Sequence, residues 1–284
     1  MQEGGPEAAA TSDSVVAAAS DPVAVIKIGG SILTSPQAYR RAAEFICSRH
    51  LKTPEERLVV VVSAQEGTTD ELQELATKIV ASPRPAALDL LWSTGELRSV
   101  ALLTLHLHAL GVQATGLNIH EAGLIVPGNR ADASASSVRL DPQRLTSALE
   151  NHTVAVVPGF FATNGLHSVV SLGRGGSDLT AVLLAAGLGA TCCELIKDVP
   201  GYFTSDPHKN PNALPVPFLT FEHALELADE GCDLVQRKAI EAAARYNLPL
   251  VVRSLNEKKH VSRIAATIPG TTWADSGASV AVAP

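Results

Sequence analysis

Residues 168–184 read Ser-Val-Val-Ser-Leu-Gly-Arg-Gly-Gly-Ser-Asp-Leu-Thr-Ala-Val-Leu-Leu, and this stretch decides the fold. A β-branched run ends at Leu172, a glycine turn follows, and an apolar helix is predicted from about residue 179 to 188, with Ser177 as its N-cap. A strand that turns through glycines into a helix gathers bare N–H groups at the positive end of the helix dipole. Arg174 adds a planar guanidinium that suits a carboxylate or a phosphate. The segment therefore predicts an anion site, although the same pattern also serves as a tight strand–helix turn without a ligand.

The rest of the chain alternates between β-branched runs and helical segments. Strands are predicted at residues 23–28, 58–63, 114–117, 122–126, 153–157, 167–172, 193–197 and 248–253. Helices are predicted at residues 36–49, 70–81, 87–110, 142–151, 179–188, 221–230 and 234–246. This alternation predicts an α/β fold, a three-layer sandwich with a largely parallel central sheet and two closely packed lobes. Ligands of such sheets bind at the carboxyl ends of the strands.

Composition narrows the class of protein. The 284 residues carry a net charge of −7, which argues against nucleic acid as a partner. No run of about 18 apolar residues is free of charges and helix breakers, so no membrane span is predicted. The four cysteines form no CxxC pair and are expected to be free thiols in a reducing, cytoplasmic compartment: Cys47, Cys192, Cys193 and Cys232. Residues 1–20 contain no Lys or Arg and are expected to be a disordered tail.

Polar residues follow several of the predicted strands. Lys27 precedes Gly29-Gly30-Ser31, Ser63 ends the second strand, and Lys197-Asp198 follows another. Two glycine turns together with a lysine and an arginine indicate a polyphosphate substrate. The chain contains no GxxxxGK[ST] motif and no GxGxxG after the first strand, which argues against a P-loop or a dinucleotide-binding unit.

These motifs together resemble the amino acid kinase superfamily, and within it the catalytic domain of aspartate kinase. The resemblance covers about residues 23–270 in the family's order, and its most specific part is Gly173-Arg174-Gly175-Gly176-Ser177-Asp178-x-Thr180-Ala181. The other matching motifs are Lys27-Ile28-Gly29-Gly30-Ser31, Val62-Ser63-Ala64 with Thr68-Thr69-Asp70, Gly95-Glu96, Pro158-Gly159-Phe160 and Lys197-Asp198-Val199-Pro200-Gly201. It implies a kinase domain at residues 21–284, with an amino-acid-binding lobe at about 21–190 and a nucleotide-binding lobe at about 191–284.

The resemblance also implies a role for each matched residue. The amino acid would contact Ser63, Thr69, Glu96, Phe160, Arg174 and Ser177, with Glu96 on its ammonium group and Arg174 on its carboxylate. Lys27 would contact the transferred phosphoryl group, and Asp178 would organise the reacting centre with Arg174. The nucleotide would lie against Lys27, Gly29, Gly30, Ser31, Lys197, Asp198, Phe203, Asp206 and His208. ATP would be the phosphoryl donor and would bring Mg²⁺, and no side chain is assigned as a metal ligand.

Three departures from the family pattern fall on the nucleotide side. The family's Gly-Ala-Lys-Val-Leu-His-Pro becomes Gly231-Cys232-Asp233-Leu234-Val235-Gln236-Arg237, which replaces a lysine at the ATP phosphates by Asp233. The family's Tyr-Thr-x-Asp-Pro-Arg becomes Phe203-Thr204-Ser205-Asp206-Pro207-His208, which loses a hydroxyl and a fixed cation. A replacement charge would have to come from Lys197, Arg237 or Lys238.

The expected reaction is ATP-dependent phosphorylation of the β-carboxylate of L-aspartate. Two alternatives remain at this point: the same chemistry on glutamate, an acetylated amino acid or carbamate, or a weakened pseudokinase that binds an amino acid or a partner without turnover. Aspartate kinases continue into ACT regulatory domains, whereas this sequence ends at Pro284, so no ACT segment is expected. A homodimer is the expected assembly.

Overall fold

The structure, a computed structural model, describes residues 21–127, 138–173, 175–205, 209–256 and 260–267. The expected tail and three predicted site residues lie outside these ranges: Arg174, Asp206 and His208. The described strands are β1 (Val23–Ile28), β2 (Arg57–Val62), β3 (Ala114–Gly116), β4 (Leu124–Val126), β5 (Arg139–Leu140), β6 (Val154–Pro158), β7 (Phe161–Asn164), β8 (Val169–Ser171), β9 (Cys193–Ile196), β10 (Tyr202–Phe203), β11 (Pro215–Val216), β12 (Phe218–Thr220), β13 (Leu250–Arg253) and β14 (Ser262–Ala265). The described helices are α1 (Pro36–Lys52), α2 (Thr68–Ile79), α3 (Pro85–Ala109), α4 (Pro142–Asn151), α5 (Gly176–Gly187), α6 (Phe221–Asp229) and α7 (Arg237–Arg245).

A central sheet of eight strands organises the described residues, in the order β12-β14-β13-β9-β1-β2-β6-β3. Only β13 and β14 pair antiparallel, and the other neighbouring strands of this sheet are parallel. In β2 the five residues after Arg57 are all buried, as an unbroken run of Leu and Val predicts for a strand covered on both faces. The expected largely parallel α/β fold is confirmed.

Helices cover both faces of this sheet. On one face α1 and α3 pack on β1, β2 and β6, for example through Tyr39 and Leu103 against Val60. On the other face α4, α5, α6 and α7 form a second apolar core, which includes Leu179 and Ile240. The expected three-layer arrangement follows. No helix among the described residues combines the length and apolarity that crossing a bilayer requires.

The predicted strand at residues 167–172 does not join the central sheet, which corrects the sequence-based expectation. Its ordered part, β8, pairs antiparallel with β7 in a separate sheet of order β5-β4-β7-β8. The reversal occurs at Asn164-Gly165, where the Asn164 side chain accepts hydrogen bonds from the N–H groups of Leu166 and Ser168. The glycine turn therefore enters α5 from a small sheet that lies beside the central one.

The start of α5 also corrects the prediction for Ser177. The N-cap is Gly175, with φ +77°, and Ser177 lies inside the first turn. A Cβ atom on Gly175 would lie 2.4 Å from the Gln236 side chain, so both the backbone conformation and the packing require glycine here. The helix α5 thus begins directly at the glycine turn.

Candidate active site

A cleft of about 640 Å³ opens where β1, β2 and β9 end. Eight of the residues predicted from the sequence line it: Lys27, Ser63, Thr69, Glu96, Phe160, Ser177, Asp178 and Lys197. The parallel pairing of β1 with both β2 and β9 explains part of this convergence, because their carboxyl ends meet at one edge of the sheet. Helices α2, α3 and α5 supply Thr69, Glu96, Ser177 and Asp178, and Phe160 lies in the turn between β6 and β7.

Asp178, in the first turn of α5, joins two lysines across the cleft. Its Oδ1 lies 2.8 Å from the Nζ of Lys27, and its Oδ2 lies 2.7 Å from the Nζ of Lys197. The Asp178 side chain is only 2% exposed, and the backbone N–H of Gln236 lies 3.5 Å from Oδ2. Burial by itself raises the pKa of Asp178, but the charges of Lys197 and Lys27 outweigh it and hold that pKa well below its usual range. The carboxylate therefore fixes both ammonium groups in place.

The two lysines enter this bridge from different strands. Lys27 lies in β1, and Lys197 directly follows β9, where its N–H donates to the carbonyl of Arg253. Burial lowers the pKa of Lys197, and the nearby charge of Asp178 opposes that shift. Together the three groups carry a formal charge of +1 in a nearly water-free corner, which favours an anion in the cleft.

Glu96 is a buried carboxyl group that also lines the cleft. Its Oε1 accepts a hydrogen bond of 3.4 Å from the N–H of Ala64, while Oε2 is buried and has no hydrogen-bond partner among the described residues. Gly95 permits this position, because a Cβ atom there would already lie 3.0 Å from the Ala64 side chain. Burial raises the pKa of Glu96 to about 7. A buried acceptor of this kind suits a ligand cation such as an ammonium group.

Phe160 and Trp92 form an apolar wall of the cleft. Their ring centroids lie 6.2 Å apart with the planes tilted by 51°. Phe160 has φ +71°, an unfavourable conformation for a bulky residue. It is held there because its N–H donates to the Thr180 hydroxyl and its carbonyl accepts from the N–H of Leu172. Strain maintained by surrounding hydrogen bonds is typical of functional positions.

The turn after β1 packs tightly against the turn after β2. A Cβ atom on Gly30 would lie 2.4 Å from the Ala64 carbonyl oxygen, so only glycine fits. The Gly29 N–H donates to the Ile196 carbonyl, which joins the ends of β1 and β9. This glycine turn thus stands beside the lysine bridge, with the Nζ of Lys27 3.6 Å from the position of a Cβ atom on Gly29.

Several residues assigned to the nucleotide lie at or beyond the edge of this cleft. Ser31 and Asp198 are exposed, and Phe203 packs edge-on against His260 with ring centroids 5.4 Å apart. Gly29, Gly30, Ser31, Asp198 and Phe203 are not among the lining residues. The structure therefore brings the residues predicted to bind the amino acid together more closely than those predicted to bind the nucleotide.

Sequence reasoning missed some lining residues: Gln73, Trp92, Ser171 and Gln236. Asp70, in the first turn of α2, also lines the cleft. The spacing of Thr69 and Gln73, four residues apart on one helix, could have indicated a shared face. Trp92 and Gln236 have no such signal, because only the packing of α3 and α7 brings them there.

Comparison with known proteins agrees with this geometry. The model of the amino acid kinase family matches residues 22–254. The chain belongs to the amino acid kinase family. An aspartokinase of Thermus thermophilus is 40% identical over 230 residues, which cover 81% of this chain and 56% of that protein. An aspartokinase of Mycobacterium tuberculosis is also 40% identical, over 81% of this chain and 54% of that protein. The chain thus spans about half the length of these curated relatives.

Solved structures of other amino acid kinases share the architecture. Aspartate kinase from Synechocystis superposes with a TM-score of 0.75 at 35% identity, over 88% of this chain and 40% of that one. Carbamate kinase from Giardia lamblia superposes with a TM-score of 0.61 at 14% identity, over 87% of this chain and 99% of that one, which shows the fold alone. The amino acid kinase fold is thereby established for the described residues.

Proposed function

We propose that this protein transfers the γ-phosphoryl group of ATP to the β-carboxylate of L-aspartate, giving 4-phospho-L-aspartate and ADP. The bridge Lys27–Asp178–Lys197 carries the proposal. Two anionic reactants repel each other, and two ammonium groups fixed by one buried carboxylate offset that repulsion without reorganising during the reaction. The aspartokinase relatives support aspartate as the acid.

In this reaction a carboxylate oxygen of the acid attacks the γ-phosphorus, and the bond from that phosphorus to the β–γ bridging oxygen breaks. The electrons of the broken bond leave with ADP. The attacking carboxylate is already ionised, so no general base is needed to remove a proton. Lys27 contacts the transferred phosphoryl group, and Asp178 positions Lys27 and Lys197 rather than exchanging protons, because its pKa is too low for that role. Positioning and charge stabilisation therefore supply the catalysis.

The acid would bind between α2, α3 and the start of α5. Its ammonium group would meet the unpartnered Oε2 of Glu96, and the reacting carboxylate would lie near Ser63 and Thr69. Arg174, implied by the sequence resemblance, would hold the other carboxylate, with Ser177 beside it. Phe160 would limit the length of the acid that fits.

The nucleotide would approach from the side of β9, past Lys197, Asp198 and Phe203, with Gly29, Gly30 and Ser31 along its phosphates. Asp206 and His208 belong to the same proposed surface by resemblance. Both Asp178 oxygens face lysines, and no cluster of three metal-binding side chains occurs among the described residues. Mg²⁺ is therefore proposed to enter as part of the MgATP substrate and to keep phosphate and water ligands.

The test is ADP formation from MgATP by the purified chain across a panel of acids: aspartate, glutamate, N-acetylglutamate and carbamate. Aspartate-dependent ADP production, with an acyl phosphate trapped by hydroxylamine, is expected. Turnover with another acid of the panel and not with aspartate would mean that this other acid is the substrate. Aspartate binding in calorimetry without any turnover would favour the weakened pseudokinase. Neither binding nor turnover with any panel acid would overturn the proposal.

A further inference from the structure

Lys238, in the first turn of α7, places its ammonium group against the glycine turn of the cleft. A methyl group on Gly173 would lie 3.4 Å from the Nζ of Lys238, and Gly173 itself lines the cleft. The side chain is exposed, and it makes no ion pair with a carboxylate of the described residues. Among the residues that the structure describes, Lys238 is thus a cation without a carboxylate partner at the rim of the cleft.

The neighbouring residue Arg237 points in another direction and has charged partners of its own. Arg237 forms ion pairs with Asp229 and Glu241, on the outer side of α6 and α7, and all three side chains are exposed. The two cations are adjacent in the first turn of α7 but point in different directions. Arg237 forms its ion pairs away from the cleft, whereas Lys238 points toward the cleft.

The charges inside the cleft show why this cation matters. The charged lining residues described by the structure are two lysines, Lys27 and Lys197, and three acids, Asp70, Glu96 and Asp178. The bridge alone carries a formal charge of +1, and Asp70 and Glu96 offset it, so the described lining offers little surplus positive charge to a triphosphate. Arg174 adds one cation by sequence, and Asp233 occurs where the family carries a lysine. A further cation at the rim therefore favours a polyphosphate there.

We propose that Lys238 binds the phosphate chain of the nucleotide and supplies the cation that Asp233 does not. This inference rests on the proposed function, since it names a ligand group for the same site. The position of α7 favours phosphates over the carboxylate of the acid, because its N-cap residue, Gln236, contacts Asp178 on the Lys197 side of the bridge. The Gln236 side chain packs against Gly175. Lys238, two residues further along the chain, therefore reaches the glycine turn from the side of α7.

The experiment compares K238A with R237A as a matched control, since each variant removes one positive charge from the same helix turn. Calorimetry measures the Kd for MgADP, and steady-state kinetics measures the KM for ATP and for aspartate. K238A is expected to weaken MgADP binding and raise the KM for ATP about tenfold, as for a lost charged hydrogen bond. R237A should leave both values near those of the unchanged chain, and K238R should retain most of the affinity.

The outcomes separate this inference from the proposed function. If K238A and R237A bind MgADP equally well, the phosphate role of Lys238 is overturned. If K238A raises the KM for aspartate and leaves that for ATP unchanged, the cation serves the acid and the inference is also overturned. If the unchanged chain binds MgADP but turns over none of the acids, the proposed function fails, while the Kd comparison still decides the role of Lys238. Thermal unfolding confirms that each variant is folded.

Discussion

The two sides of the cleft differ in how they are built. On the acid side, Glu96, Phe160 and Ser177 belong to buried or tightly held segments whose motifs match the family closely. On the nucleotide side, Asp198 and Asp233 are exposed, and the motif around Phe203 departs from the family pattern. Residues with packed neighbours on several sides cannot change independently, whereas exposed residues on loops can exchange charges without disturbing the core. Under the proposed function, we therefore expect packing to constrain the residues that bind the acid more than those that bind the nucleotide.

The largest effect is expected from Lys27→Ala at the junction of the two sides. Loss of one preorganised charge at the reacting group is expected to reduce kcat by about 10²- to 10³-fold, as for other lost electrostatic donors. The KM for the acid should change little, because Asp178 still holds Lys197. Steady-state kinetics and calorimetry with the acid measure the two effects.

Near-normal turnover of Lys27→Ala would show that the lysine is structural and that the bridge does not act on the phosphoryl group. Removing one partner of a buried ion pair also destabilises a protein. Thermal unfolding of the variant, with Lys27→Arg as a charge-conserving control, separates loss of fold from loss of charge at the reacting centre.

Much of the central sheet could be predicted, because β1, β2, β6 and β13 are rich in Val, Leu and Ile. After Arg57, β2 is an unbroken run of Leu and Val, and its burial on both faces follows directly from its composition. The small sheet was only partly predicted: the strands predicted at residues 122–126 and 167–172 contain β4 and β8, whereas β5 has two residues, too few for any periodicity. Asn164-Gly165 does carry a hairpin signal, and with it the antiparallel pairing of β7 and β8 could have been inferred.

The candidate site was predictable where glycines or charges follow strands, as at Lys27 and Lys197. The bridge through Asp178 could not be predicted from spacing alone, because three separate elements meet there. The N-cap at Ser177 was predicted wrongly, since a polar residue after glycines favours that assignment while the clash at Gly175 decides the actual start of α5. Local propensity thus fails where tertiary packing sets the backbone.

Glu96→Gln tests the acid side through pH. Ammonium binding needs the ionised carboxylate, and burial raises the pKa of Glu96 to about 7. As the pH falls through 7 the group gains a proton, so kcat/KM for the acid should fall about tenfold per pH unit below that pKa. Glu96→Gln should lower kcat/KM at pH 8 by about tenfold or more, as for a lost charged hydrogen bond. The variant should also lose this pH dependence, and a profile identical to that of the unchanged chain would remove Glu96 from the acid pocket.

Arg174→Lys tests the same side with a smaller change. Lysine keeps the charge but cannot reproduce the two parallel hydrogen bonds of a guanidinium to a carboxylate. The KM for the acid is expected to rise about tenfold, as for one lost charged hydrogen bond, with much less effect on the KM for ATP. Equal increases in both values would place Arg174 between the two substrates rather than in the acid pocket.

The smallest effect is expected from Asp233→Lys on the nucleotide side. Asp233 is exposed, so the charge change is screened by solvent, and a gain of about twofold to fivefold in ATP affinity is expected. The measurement is the KM for ATP in Asp233→Lys, in K238A and in the double variant. If Lys238 supplies the phosphate contact, Asp233→Lys should raise the ATP affinity by a larger factor in K238A than in the chain that keeps Lys238. A gain of the same factor in both backgrounds would mean that the two positions act independently, and the nucleotide side would then hold two separate phosphate contacts. No change in either background would mean that residue 233 lies too far from the phosphates, and that the family's lysine has no counterpart in this segment.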